Sequence, residues 1–281
     1  MRITTAFGVL MLGATATGCA YSIGAGERCD PPAGAAPSAA TTDALAQMYA
    51  RYAGARSYED RGTVVEVYHP DDGSAEHTRR IDFETAFDRA TGSFRFEYAG
   101  EKTFSDRHVI WRSGSGRAHR WWAIQPQVQE DDLDDGLAGM VGVSRTTSRT
   151  VPSMLFGAAG ETPRDRGYAA DGEDVAAGVP CVKLSAHRDE NVSTLWISKA
   201  DHSLRRVTSR SHLGGSPMPE EQIARALAQM PEAVRAELAE HMRKPHPFVV
   251  ESTTDYAPVF DRPVDAKRFE FSPPAVADRP Y

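Results

Sequence analysis

Residues 62–124 contain five short alternating runs: Gly62-Thr63-Val64-Val65-Glu66-Val67-Tyr68, Ile81-Asp82-Phe83-Glu84-Thr85-Ala86-Phe87, Phe94-Arg95-Phe96-Glu97-Tyr98, Val109-Ile110-Trp111 and Trp121-Trp122-Ala123-Ile124. Side chains in a strand point alternately to opposite faces, so the pattern predicts five strands with one apolar and one wet side. Turn signals fall between the runs at Pro70-Asp71-Asp72-Gly73, Thr91-Gly92 and Ser113-Gly114-Ser115-Gly116. Strands joined so closely fit an antiparallel meander. What covers its apolar side decides what such a sheet is for.

Working outward, Leu45, Met48, Tyr49 and Tyr52 fall at helical spacing after the capping candidates Thr42 and Asp43, with Gly54 as the stop. That predicts an amphipathic helix laid on the sheet. On the other side, Glu130-Asp131-Asp132-Leu133-Asp134-Asp135-Gly136 invites a calcium loop. Counted from Asp131, however, the third position is Leu133 and the twelfth is Gly142, so the ligand template fails. A solvated helix start from Gln129 to Gly142 is the expectation instead, followed by a short helix at Val151–Phe156 with Pro152 in its first turn. Strands resume at Tyr168–Val175, Cys181–Arg188, Ser193–Lys199, Leu204–Ser211 and Phe248–Asp255. Between the last two, Pro219–Met242 is helical in spacing, with Pro231 as a break. The tail through Phe260, Phe269 and Phe271 to Pro273-Pro274 reads as extended.

The chain has 281 residues, 41% hydrophobic and 25% charged, with a formal charge of −7. An acidic balance without a basic stripe excludes a nucleic-acid partner. No His-Glu-x-x-His, Gly-x-Ser-x-Gly, Ser-x-x-Lys, Cys-x-x-Cys or Gly-rich phosphate loop occurs, and the nine histidines are scattered. The expectation is therefore a protein that is not an enzyme, with no catalytic residue, no metal site and no cofactor.

At the N-terminus, Arg2 precedes an apolar run from Ala6 to Leu12 and then Ala16-Thr17-Gly18-Cys19. Small residues leading into a cysteine resemble the bacterial lipobox. That likeness implies a signal peptide over residues 1–18, acylation of Cys19 and anchoring in a membrane. Two acyl chains, at roughly 0.8 kcal/mol per buried methylene, would hold stably. By the same resemblance, Ala20 instead of the aspartate that retains many such lipoproteins at the inner membrane implies the outer membrane, on the periplasmic side of the envelope. Residues 19–41, rich in Ala, Gly, Pro and Ser, read as a tether. The envelope is oxidising, so Cys29 and Cys181 either pair or remain two thiols.

The motif order resembles the LolA/LolB-like family of bacterial lipoprotein and lipid carriers, which includes LppX-type proteins and the N-terminal domain of RseB. The residues that carry it are Leu45-x-x-Met48-x-x-x-Tyr52, Ser57-Tyr58-x-Asp60-x-Gly62-x-Val64, Leu195-Trp196-Ile197-Ser198 with Leu204-Arg205-Arg206-Val207, and the stretch from Phe260 to Pro274. The resemblance implies an α+β fold over residues 42–281, with a helical insertion at 216–244. Its centre would be a strongly curved antiparallel half-barrel of about ten strands, with helices over the concave face. It further implies an apolar cavity for the acyl chains of lipids or lipoproteins, in lipoprotein sorting or lipid transfer. The aromatic residues Phe83, Phe87, Phe94, Phe96, Trp111 and Trp122 are its candidate lining, or else simply a packed core. The alternative is an envelope sensing protein that uses the same fold to engage a protein partner.

Overall fold

The computed structural model describes residues 39–100, 107–123, 125–144, 147–157, 167–213, 219–228 and 247–274, with Arg235, Ala239 and Arg243. Cys19, the expected signal peptide, most of the expected tether, Cys29 and much of the expected 216–244 insertion lie outside the described residues.

The first described element is helix α1 (Ala39–Ala53), which opens three residues inside the stretch whose composition reads as tether. Its predicted stripe is the buried one: Leu45, Met48 and Tyr52 face inward. Six strands follow: β1 (Ser57–Pro70), β2 (His77–Asp88), β3 (Ser93–Gly100), β4 (His108–Arg112), β5 (Ala118–Trp122) and β6 (Gln125–Asp131). Helices α2 (Leu133–Gly139), α3 (Val141–Ser144) and α4 (Thr147–Phe156) come next. A second meander then runs through β7 (Ala169–Ala176), β8 (Val179–Arg188), β9 (Asn191–Ser198) and β10 (Leu204–Leu213). After α5 (Glu220–Ala228), β11 (Phe248–Asp255) and the short β12 (Val259–Phe260) complete the sheet.

The strands lie in the order β6-β5-β4-β3-β2-β1-β11-β10-β9-β8-β7, with β12 also on β1, and the pairs are antiparallel. Two meanders are thus joined by β11, which enters between β10 and β1. The edges are β6 and β7, and α2, α3 and α4 come between them in the chain. Laid flat, eleven strands at about 4.8 Å would span roughly 50 Å. One buried cluster nevertheless draws side chains from β1–β5, from β8–β10 and from α1, α2 and α4. The sheet therefore curls around its helices as an open half-barrel.

Four local expectations are corrected. Gln129–Asp131 belongs to strand β6, where Asp131 pairs with Arg120 of β5 at 2.9 Å; the helix begins only after Asp132. Pro152 lies inside α4 and not in its first turn, because the helix starts at Thr147. The tail is interrupted by a 3-10 turn, Ala266–Phe269. Finally, the convex side is not uniformly wet, since Val109, Trp111, Trp121 and Ala123 form a second buried cluster there under Phe271.

Gly62 shows how closely the layers meet. It stands opposite Phe83 in the β1–β2 register, and a Cβ there would lie 2.2 Å from the Phe83 ring and 2.4 Å from the Asp255 carbonyl oxygen. The missing side chain lets Phe83 lie across β1.

Candidate functional site

The concave face has an aromatic floor. Gly62, Phe83 and Tyr98 stand opposite one another across β1–β3, as do Phe87 and Phe94 further along β2–β3, so all point to the same side. Phe83, Phe87, Phe94 and Phe96 are each at most 2% exposed. The cover is made of separate pieces. Phe156, at the end of α4, meets Phe87 and Phe94 edge-on, with ring centroids 5.0 and 5.2 Å apart. Met48 of α1, Met140 at the end of α2 and Met154 of α4 all join the same buried cluster as the phenylalanines. Each covering segment therefore offers a flexible thioether to a floor of rigid rings. Methionine accommodates irregular and changing surfaces better than branched side chains do.

Arg89, in the β2–β3 turn, holds the cover at one end. Its Nε donates to the Ala55 carbonyl at 2.7 Å, and its Nη2 donates to Tyr52 at 3.3 Å and Leu155 at 2.9 Å. These carbonyls belong to the C-terminal ends of α1 and α4, where the helix dipole favours a cation. One guanidinium thus ties two covering helices to the floor.

A buried carboxyl lies nearby. Asp60 on β1 is 2% exposed. It accepts hydrogen bonds from the Tyr58 hydroxyl at 2.8 Å and from the Ala257 backbone N–H at 2.7 Å. Burial pushes its pKa from 3.8 up to about 6, against the lowering effect of those hydrogen bonds. The Tyr52 hydroxyl accepts from the Leu204 N–H at 3.2 Å, which ties α1 to β10. Phe260 packs edge-on against both Tyr52 and Tyr58, at 5.1 Å each. Burial raises the pKa of Tyr52, Tyr58 and Tyr256 well above the ordinary phenol range. Among the described residues this cluster around Asp60 has no water-facing nucleophile, and its hydrogen bonds join elements; it is structural in character.

The six aromatic candidates do not share one surface. Phe83, Phe87, Phe94 and Phe96 gather in the concave cluster. Trp122 stands opposite His108, which stands opposite Tyr98, so it too belongs to the concave side, tilted against the His108 ring with centroids 4.4 Å apart. Trp111 parts from them. It is one residue along from Ile110, whose partner is Phe96, and so it faces the convex side, packed on Phe271 at 4.9 Å. A groove of about 370 Å³ opens beside it, between Trp111, Arg117 and His119 on one wall and Phe269, Glu270 and Phe271 on the other.

Cys181 is buried, and its thiol donates to the Val179 carbonyl at 3.2 Å, with burial pushing the thiol pKa up. Its pairing with Cys29 falls outside the described residues. Arg89, Tyr58 and Asp60 are the residues a sequence search for reacting motifs misses. Tyr58-x-Asp60 does place both on one strand face, which is the one local signal for their contact.

No family model matches the sequence, and no curated protein matches it. The solved structures similar to it at low identity include the following three. A DUF1329 family protein from Desulfovibrio piger is 8% identical, with a TM-score of 0.32, over 82% of this chain and 96% of that one. An outer membrane lipoprotein-sorting protein domain from Vibrio parahaemolyticus is 6% identical, with a TM-score of 0.30, over 81% and 94%. A LolA superfamily protein from Nitrosomonas europaea is 11% identical, with a TM-score of 0.30, over 82% and 97%. The fold assignment rests on the strand pairing of this chain, an open antiparallel half-barrel with its helices on the concave face.

Proposed function

We propose that the mature chain is a lipid-anchored envelope protein that takes an acyl chain between its helical cover and its aromatic floor, and serves in lipid or lipoprotein handling. The observation that carries this is the seam itself: Met48, Met140 and Met154, from three covering segments, share one cluster with Phe83, Phe87, Phe94 and Phe96. A guest chain would replace methionine contacts with equivalent apolar ones, at about 0.8 kcal/mol per buried methylene. The lipobox-like Ala16-Thr17-Gly18-Cys19 supports placement at a membrane, where such guests are found. Residues Phe83, Phe87, Phe94 and Phe96 would line the bound chain, with Trp122 at its border.

The test uses the chain purified as Cys19→Ala, extracted for co-purifying lipid and titrated with a fluorescent fatty acid. The expected result is acyl ligand in the extract and saturable, displaceable binding. Met154→Trp, which fills the seam, should weaken binding about tenfold, a change of about 1.4 kcal/mol. An empty extract together with no displacement would overturn the proposal.

A further inference from the structure

Beyond the aromatic floor the concave face changes character within two register steps. Ile81, Val64, Thr254 and Val207 form one row across β2, β1, β11 and β10. The next row on the same face is Arg79, Glu66, Ser252 and Ser209. An apolar floor thus gives way to a charged and hydroxylated row, the profile of a surface made for an amphiphile.

On this face Arg79, in that row, and His108, in the row of Phe83 and Tyr98, each have a buried nitrogen with no hydrogen-bond partner among the described residues. Arg79 keeps 17% of its side chain open, and its Nη1 lies 3.7 Å from Glu66 Oε2, too far for a good hydrogen bond. Its Nη2 is buried with no hydrogen-bond partner. Glu66 itself is fully buried and accepts from the Tyr68 hydroxyl at 3.1 Å. His108 is 5% exposed, its ring held between Tyr98 at 4.7 Å and Trp122 at 4.4 Å. Its Nε2 is also buried and unpartnered. Burial, then the charges of Arg120 and Arg79, lower the His108 pKa to about 2, so the imidazole is neutral and one of its nitrogens carries a hydrogen to donate. Arg120 is already engaged, with Asp131 at 2.9 Å and Gln129 at 2.5 Å. Leaving a buried donor unpaired is costly, and native proteins keep such groups where something else completes them.

We propose that Arg79 and His108 form the recognition site for an anionic head group, a carboxylate or a phosphate, at the end of the acyl ligand that lies on the floor of Phe83 and Phe96. This rests on the acyl-chain proposal above and names its ligand class. The guanidinium Nη2 and the imidazole Nε2–H both donate, and the anion accepts from each. The Tyr98 and Trp122 rings hold the imidazole in place while they continue the apolar surface toward the chain.

The Cys19→Ala protein is titrated with dodecanoate, dodecyl phosphate and dodecanol, which share one chain and differ in head group. The expected result is that one or both anions bind at least about tenfold more tightly than the alcohol. Whichever anion is preferred identifies the head-group source. Arg79→Gln should bring the three affinities to within about threefold of each other. His108→Phe, which keeps a ring between Tyr98 and Trp122, should narrow the gap in the same direction and serves if Arg79→Gln folds poorly. Equal affinities for all three ligands in the unaltered site, or a gap that survives both substitutions, overturn the anion site and leave the acyl chain in place. If none of the three binds, the acyl-chain proposal falls and the anion site with it.

Discussion

Two groups of polar side chains on the concave face are treated in opposite ways. Under the helices each named polar group is matched: Asp60 accepts from Tyr58 and the Ala257 N–H, the Tyr52 hydroxyl accepts from Leu204, and Arg89 donates to three carbonyls. Elsewhere on this face Arg79 Nη2 and His108 Nε2 are buried without hydrogen-bond partners among the described residues. The matched part joins α1, α4, β1 and β10 and gains its worth from the elements it connects. The unmatched part connects nothing through those two atoms. Satisfaction of buried polar atoms, more than their chemical type, separates the scaffold from the proposed site.

Three measurements press on that contrast. The largest effect is expected from pH. The folded-state pKa of Asp60 is raised above its unfolded value of 3.8 to about 6. Its contribution is then fully present below the unfolded value and is lost as pH rises through the folded one. Native stability should fall between about pH 4 and pH 7 by up to ~3 kcal/mol relative to Asp60→Asn, whose profile lacks this step. Urea melts of both proteins across that range check the sign; a rise in their difference would contradict it. Next, Arg89→Met should cost about 2 kcal/mol, since two helix ends lose their donor and the Phe87 ring loses the cation over it. Chemical denaturation measures this, and a loss below about half a kcal/mol would mean the guanidinium is not what holds the cover. The smallest effect runs the other way: His108→Phe should leave the protein as stable or up to about 1 kcal/mol more stable, because replacing an unpaired buried donor by an apolar ring removes a desolvation cost. A loss of 2 kcal/mol or more would place His108 with the scaffold after all.

Much of the architecture is legible in residues 39–100 alone. The period of two in β1, β2 and β3 and the stripe of Leu45, Met48 and Tyr52 require a sheet with a helix on its apolar side. Register is not legible in the same way. Alternation says that Val109 and Trp111 share a face, but only the pairing of Ile110 with Phe96 tells which face it is. Gln129–Asp131 has the acidity of a helix start, and the open edge of β5 nevertheless takes it as a strand, with Arg120 as partner for Asp131. The site was legible only as far as its apolar part. Asp60 and Ala257 are far apart in the chain, as are Arg89 and Leu155, and no local pattern announces a hydrogen bond across such a distance. Unpartnered atoms such as His108 Nε2 can be recognised only once every neighbour is placed.

The position of β11 has a consequence for the order in which the protein assembles. Each meander is built of neighbours in sequence, whereas β1 meets β11 at opposite ends of the described chain, Thr63 beside Asp255. Contacts between distant segments form slowly, because the chain between them must first be confined. In a chain emerging from its N-terminus, β1–β6 and β7–β10 can each form their hairpins early, and the free edges of β1 and β10 stay exposed until β11 arrives between them. Unpaired edges of that kind recruit other chains. The half-barrel is therefore two quick folding units and one slow zipper, and the zipper is where a crowded compartment would test it.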